Sequence, residues 1–308
     1  MGEVPESGAA TVGRRAIEVV DSGHGLVEAP VPDGDGGLYF SDARSGDIFH
    51  RLPGGQRTDV VASGRITGGM VAHKDGGLVV SGPSITVLAP DGTYRVLFAI
   101  PEDGGPEVDG RLTTFNDIAA LPDGTVVAGS LRWPARPDGQ RLAADLYGPD
   151  AIDGELWRIT GEGTAEVVHR PVGLSNGVEV HPDGETVYFA DTKAGQVLRL
   201  QIADGPFRVV GTVDTSANGR PDGIAADAEG AVWVAMVDGG QVVRYAPTGE
   251  RLEVVDVPAQ MVSCLAFEAD GTTLLVGTGT RPGVDDQGGS IFAFDAGVAG
   301  APVPVATL

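Results

Sequence analysis

Along the chain, short runs of β-branched and aromatic residues alternate with polar turns that end in glycine, a rhythm that predicts strands rather than helices. Asp35-Gly36 opens the run Leu38-Tyr39-Phe40-Ser41, and Asp75-Gly76 opens Leu78-Val79-Val80-Ser81. The unit recurs at Asp123-Gly124 before Val126 to Gly129, at Asp183-Gly184 before Val187 to Ala190, at Glu229-Gly230 before Val232 to Ala235, and at Asp270-Gly271 before Leu274 to Gly277. The turn glycines stand 40, 48, 60, 46 and 41 residues apart, by difference of residue numbers. Repeats of about 40–50 residues with several strands each are the mark of propeller blades. A third strand is predicted in each unit at residues 47–52, 85–88, 155–159, 196–200, 241–245 and 290–294. A fourth is predicted in most, at 59–62, 95–98, 166–169, 208–211 and 252–255.

The pattern therefore predicts an all-β fold, a six-bladed β-propeller with four-stranded blades around a central metal-binding channel, and no helix of ten residues or more. The outer strand of the sixth blade is either residues 16–20 or residues 303–308. The first choice, which closes the ring by pairing the start of the chain with its end, is preferred. Residues 1–15 are expected to be a flexible N-terminal segment and residues 16–308 a single domain. Two connections are long: 101–114, and 131–154 in the third blade. The latter carries Arg132, Trp133, Asp145 and Tyr147 and is expected to form a lid.

Stepping eight residues back from each turn glycine gives Glu28, Gly68, Asn116, Asn176, Asp222 and Ser263. These are equivalent positions at the start of the strand that lines the channel, so they should form a ring at one mouth. Glu28, Asn116, Asn176 and Asp222 carry side-chain oxygens suited to a hard divalent cation. Calcium is the expected ion, with magnesium, manganese and zinc as alternatives. No histidine stands in the ring, which counts against zinc, copper and iron. Asn176-Gly177 and Asp222-Gly223 are also ordinary turn dipeptides, but turns alone do not explain polar residues in register across the repeats.

Composition narrows the function classes. A net charge of -22 over 308 residues offers no basic stripe for nucleic acid or an anionic membrane. No apolar run approaches the roughly 20 residues of a membrane span. Cys264 is the single cysteine, so neither an intrachain disulfide nor a thiolate zinc cluster can form. The polar start has no apolar signal core, and a cytoplasmic monomer or weak homo-oligomer that acts on a small molecule is expected. Gly173-Leu174-Ser175-Asn176-Gly177 matches the string of a nucleophile elbow, but a strand follows where that motif needs a helix. His24, four residues before Glu28, is a candidate for proton transfer at the mouth. His73 and His181 are expected at the surface. Asp117 should point away from Asn116 along a strand and support the ring by hydrogen bonding.

At these residues the sequence resembles the SMP-30/gluconolactonase/LRE family, which includes regucalcin and is related in fold to diisopropyl-fluorophosphatase. The resemblance rests on Glu28-Ala29-Pro30-Val31 with Leu38-Tyr39-Phe40-Ser41-Asp42, on Phe115-Asn116-Asp117, on Ser175-Asn176-Gly177 with Tyr188-Phe189-Ala190-Asp191, and on Pro221-Asp222-Gly223 with Val232-Trp233-Val234. It implies a propeller with an axial calcium or other divalent ion that hydrolyses lactones or similar esters. By the same resemblance Glu28, Asn176 and Asp222 match metal ligands, and Asn116 matches a position that contacts metal or substrate. Thr114 stands where family members acting on sugar lactones carry arginine, so that sugar contact is not carried over. Arg111, Arg132 and Arg136 are candidate substitutes.

The expected chemistry is metal-assisted hydrolysis, with Asp222 as general base toward water and Asn116 orienting the substrate. Thr114, Asp117, Arg132, Trp133, Tyr147 and His24 would surround the substrate. The rival readings are a non-enzymatic propeller that binds a metabolite or partner around a structural ion, and a phosphotriesterase or lyase reaction on the same scaffold.

Overall fold

Each predicted turn glycine returns the chain into a strand, and the strands assemble as six antiparallel sheets arranged as propeller blades. In this computed structural model, the structure describes residues 11–12, 15–55, 58–63, 67–100, 112–133, 146–148, 151–269 and 271–308. Blade 1 comprises Val27–Pro32, Leu38–Asp42, Asp47–Arg51 and Thr58–Ala62, and blade 2 comprises Met70–Ala72, Leu78–Val80, Ile85–Leu88 and Tyr94–Phe98. Blade 3 is Leu112–Ala120, Val126–Trp133, Gly154–Gly161 and Thr164–Val172, and blade 4 is Ser175–Val180, Thr186–Asp191, Gln196–Gln201 and Arg208–Asp214. Blade 5 is Pro221–Ala226, Val232–Met236, Gln241–Tyr245 and Arg251–Asp256. Blade 6 takes Met261–Phe267, Thr273–Gly279 and Ser290–Asp295 from the end of the chain and its outer strand, Glu18–Ser22, from the beginning. Helix contributes little, with a 3₁₀ turn at Pro53–Gly55 and a helical stretch at 146–147.

The second strands are apolar on both faces because each blade packs against two neighbours. Val232–Met236 is buried at every position. Ala225, Trp233, Val276 and Phe292 interlock between blades 5 and 6, and Val127, Leu156, Val178 and Phe189 do so between blades 3 and 4. Each large side chain removed from water here contributes about 1.5–3 kcal/mol. Near the axis the inner strands come closer than side chains allow. A Cβ on Gly177 would stand 2.7 Å from Asp222 O, and one on Gly223 would stand 2.6 Å from Cys264 Cα. Glycine is thus required just after the ring positions of blades 4 and 5. The ring closes where Ser263 Oγ donates to Val27 O at 2.6 Å, joining blade 6 to blade 1.

The outer strand of blade 6 comes from the start of the chain, as the preferred reading had it. Thr11–Val12 pairs in parallel with Glu253 and Val254 and extends blade 5. The exposed outer edge of Arg251–Asp256 offers unpaired backbone groups that this segment satisfies. Residues 303–308, the alternative outer strand, instead belong to a strap that crosses the far mouth of the channel. Ala301 N donates to Ala226 O at 2.9 Å on blade 5, and Ala306 N donates to Ala72 O at 2.9 Å on blade 2. His73 lies beneath this strap and is buried, where a surface position was expected.

Candidate active site at the channel mouth

In five blades the regular strand ladder breaks at or beside the ring position. Pairing jumps from Phe115 to Ile118, from Ser175 to Val178, from Pro221 to Ile224, and from Val262 to Cys264. Asn116, Asn176, Asp222 and Ser263 fall inside these β-bulges. In blade 1 the break follows Glu28, which pairs with Ser41, and Ala29 takes a left-handed backbone with φ of 51°. A bulge leaves its extra residue unpaired and re-aims the side chain. This is how one strand turns consecutive residues toward the axis. Asn116 and Asp117 both line the channel, although simple alternation predicted that Asp117 would point away.

The loops that launch the ring strands are held by buried aspartates at the ends of second strands. Asp42 accepts from Gly25 N at 2.7 Å, Leu26 N at 3.0 Å and Arg44 N at 2.9 Å. Burial acts upward on its carboxyl, but these N–H donors outweigh it and hold Asp42 below the usual carboxylate range. Asp191 anchors the corresponding loop of blade 4, accepting from Gly173 N at 2.9 Å, Leu174 N at 3.1 Å and Ala194 N at 3.1 Å. Thr192 then accepts from Asn176 Nδ2 at 3.1 Å and donates to Pro221 O at 2.7 Å. Asn116 Nδ2 donates to Ser175 O at 2.8 Å and to Asn176 Oδ1 at 3.2 Å. The amide nitrogens of Asn116 and Asn176 are thereby engaged by the protein, and Asn176 Oδ1 accepts from Asn116.

The carboxylates crowd one another. Burial drives Glu28 well above its ordinary value, and the charges of Asp222 and Asp117 add to the shift. Burial likewise raises Asp222 strongly; Asp117 and Asp238 reinforce the shift, while a hydrogen bond with Asn176 opposes it. Asp117 is pushed up to about 6 by burial, against N–H donation from Ile118 and from Val178 of the next blade. Among the described residues, no group of three or more His, Cys, Asp or Glu side chains is disposed to hold a metal ion. The candidate set is two carboxylates with two amides, an oxygen-only donor set with the charge of a divalent cation's complement. Buried carboxylates held high by burial, with Asp222 and Asp117 acting on Glu28, are the electrostatics a hard cation relieves, so the residues present fit such an ion.

The His24 imidazole packs edge-on against Phe40 and Phe49, with ring centroids 4.9 and 5.1 Å away, and it does not line the channel. Arg132 and Trp133 belong to the second strand of blade 3 rather than to a lid, because Thr113 and Leu112 continue as their strand partners. Arg132 is buried and paired with Glu155 at 2.7 Å. Trp133 Nε1 donates to Thr114 Oγ1 at 2.8 Å. Tyr147 is exposed and stacks with Arg220. Arg111, Arg136 and Asp145 lie outside the described residues. Ser175 of the elbow-like string is fully buried and continues as strand.

Sequence reading missed Asp42, Asp191, Thr192 and Glu179. The first two were visible as aspartates closing the Tyr-Phe-Ser-Asp and Tyr-Phe-Ala-Asp runs. Glu179 lines a cavity of about 380 Å³ that extends from the ring to Val303 and Val305 of the strap. Burial pushes its carboxyl up to about 7, with Asp117 adding to the shift.

Comparison with known proteins agrees with this fold. Residues 26–280 match the family model of the SMP-30/gluconolactonase/LRE-like region. A pentonolactonase, XacC, of Haloferax volcanii is 29% identical, over 92% of this chain and 95% of its own. A 6-deoxy-6-sulfogluconolactonase of Pseudomonas putida is 27% identical, over 87% of this chain and 90% of its own. The crystal structure of a calcium-binding protein, regucalcin, from Agrobacterium tumefaciens superposes with a TM-score of 0.78 at 22% identity, covering 97% of this chain and all of that one (100%). With its bulged inner strands, its ring of oxygen donors and a match spanning most of its length, the chain belongs to the SMP-30/gluconolactonase/LRE-like family.

Proposed function

We propose that this protein is a divalent-metal-dependent hydrolase that opens a lactone or related ester at the ring formed by Glu28, Asn116, Asn176 and Asp222. The observation that carries the reading is the placement of Glu28, Asn116, Asn176 and Asp222 at or beside the bulges of four separate blades, with the charge of Asp222 felt at Glu28 and Asn116 Nδ2 3.2 Å from Asn176 Oδ1. Relatives named for lactone substrates support the reaction class, and the regucalcin neighbour's description as calcium-binding supports calcium as the ion.

Glu28, Asn176 and Asp222, with Asn116 beside them, would hold the cation. When bound, such an ion supplies Lewis-acid polarisation of the lactone carbonyl. Asn116 orients the substrate over the ring. Asp222 accepts a proton from the attacking water as the new C–O bond forms. The ring C–O bond then breaks, and that proton passes to the alcohol oxygen that leaves the acyl carbon. Trp133 fixes the Thr114 hydroxyl at the rim, and Arg132 is engaged by Glu155 below it.

A panel of lactones and aryl esters assayed with chelator, then with calcium, manganese or zinc restored, tests the proposal. Turnover abolished by chelator and restored by one ion is the expected result. Asp222→Asn should lower kcat by 100-fold or more, the usual scale for losing a general base. Full activity in chelator, or full activity of Asp222→Asn with metal bound, overturns the assignment.

A further inference from the structure

Counting two residues back from the ring positions gives Leu26, Thr114, Leu174, Arg220 and Met261 among the described residues, and Arg220 is the one charged residue of these. Its backbone is fixed where Val237 N donates to Arg220 O at 3.0 Å. Its Nε donates to Asp238 Oδ2 at 2.7 Å. Arg281, from the loop after the second strand of blade 6, donates to the other oxygen of the same carboxylate and to Val237 O at 2.8 Å. Two guanidinium groups thus share one carboxylate at the mouth, a local excess of positive charge on a chain whose net charge is -22. Tyr147 lies against this pair, its ring centroid 4.5 Å from the Arg220 guanidinium carbon.

The cluster is open as well as charged. The side chains of Arg220 and Arg281 are 44% and 29% exposed, so N–H donors remain free for a ligand. A planar guanidinium matches a carboxylate, sulfonate or phosphate through paired hydrogen bonds. Tyr147 shields one face of Arg220 from water, which strengthens such a pair. The cluster also stands beside the ring, since the charge of Asp238 is felt at Asp222 and that of Asp222 at the Tyr147 hydroxyl. A pair needed only to tie blade 5 to blade 6 would require one arginine for one aspartate.

We propose that Arg220 and Arg281, with Tyr147 as their platform, form a subsite for an anionic substituent of the substrate whose acyl group lies over the ring. The proposal rests on the hydrolase reading above for the word substrate, while the anion subsite itself rests on the arginine pair. It makes the preferred substrate an acidic lactone or ester, one that carries a carboxylate, sulfonate or phosphate away from the bond that is cleaved.

The test compares wild type with Arg220→Gln, Arg281→Gln and the charge-keeping Arg281→Lys. Each is assayed on D-glucono-lactone, which is neutral, and on D-glucaro-lactone, which carries a carboxylate, and each is titrated calorimetrically with D-glucarate. Wild type should favour the acidic lactone tenfold or more in kcat/KM. The glutamine variants should lose that preference by tenfold, mainly through KM, and bind glucarate tenfold more weakly, while Arg281→Lys, which keeps the charge but not the paired geometry, loses less than Arg281→Gln. Equal losses on both lactones, or a preference and glucarate affinity that survive Arg220→Gln, overturn the subsite. If neither lactone is turned over by any variant, the hydrolase reading is left to the wider lactone and ester panel, and the glucarate titration alone decides the subsite: weaker binding by the glutamine variants upholds it and unchanged binding overturns it.

Discussion

Glu179 shows how much a single residue's role depends on neighbours that sequence cannot supply. It sits on the inner strand of blade 4, three residues after Asn176, facing a channel otherwise lined mainly by aliphatic groups. The native environment raises its carboxyl from an ordinary value of 4.5 to about 7. A raised native value means the folded protein holds that proton more tightly than the unfolded chain. The resulting stabilisation is complete below about pH 4.5 and is lost as pH climbs through 7. Full ionisation costs about 3 kcal/mol, roughly 5 °C in Tm for a chain of this size. Chelated wild-type protein should therefore melt lower at pH 8 than at pH 5, and Glu179→Gln should remove the roughly 5 °C of that difference that belongs to Glu179, leaving the part that comes from Glu28, Asp117 and Asp222. Parallel melting curves for the variant and wild type across this range would remove Glu179 from the account. The ring residues were legible because they share one offset from the turn glycines, a property of the repeat. Glu179 and Arg220 are each the lone charged residue at their offset, and Arg281 lies in a loop outside the repeat, so only assembled blades reveal them.

At the scale of elements, turn glycines and β-branched runs announced the strands, and bulges were what sequence did not announce. A bulge is set by how two strands meet, and residues such as Asn116-Asp117 do not encode it locally. The start of the blade 3 insertion was also missed, because Leu112 and Trp133 prolong a strand pair only through each other. The loops into the ring strands depend on Asp42 and Asp191, and Asp191 offers a clear experiment. Replacing it by alanine leaves the N–H groups of Gly173, Leu174 and Ala194 without their acceptor, and Asn176 begins two residues later. Asp191→Ala should cost about 2–4 kcal/mol in unfolding free energy, the range for stripping a buried carboxylate's partners. It should also weaken calcium binding tenfold or more, read by calorimetry on the folded variant. A variant that melts lower yet titrates calcium like wild type would detach this loop from the ring geometry.

For the molecule as a whole, both ends of the chain serve closure, but in different places. The sequence offered two outer strands for blade 6, residues 16–20 and 303–308, since either has the required β-branched pattern. The structure uses Glu18–Ser22 at the outer edge. The other segment continues from Gly300 across the far mouth, where its backbone ties blade 5 to blades 2 and 3 without adding a blade strand. This arrangement predicts an asymmetric response to removing residues 299–308. The strap's hydrogen bonds contribute about 1 kcal/mol each, while ordering each of its residues costs a similar amount, so global stability should change little. The local effect should be larger. Lys74 N donates to Ala306 O at 2.9 Å and Ala228 N donates to Ala299 O at 2.8 Å, so both amides lose their acceptors. Hydrogen exchange at Lys74 and Ala228 should accelerate by tenfold or more on truncation, while Val178 N, bound to Asp117 near the ring, keeps its protection. If Val178 were exposed equally, the strap would be holding the blades together and not merely covering the channel. If Lys74 and Ala228 stayed protected, the far mouth would be closed by the blades alone.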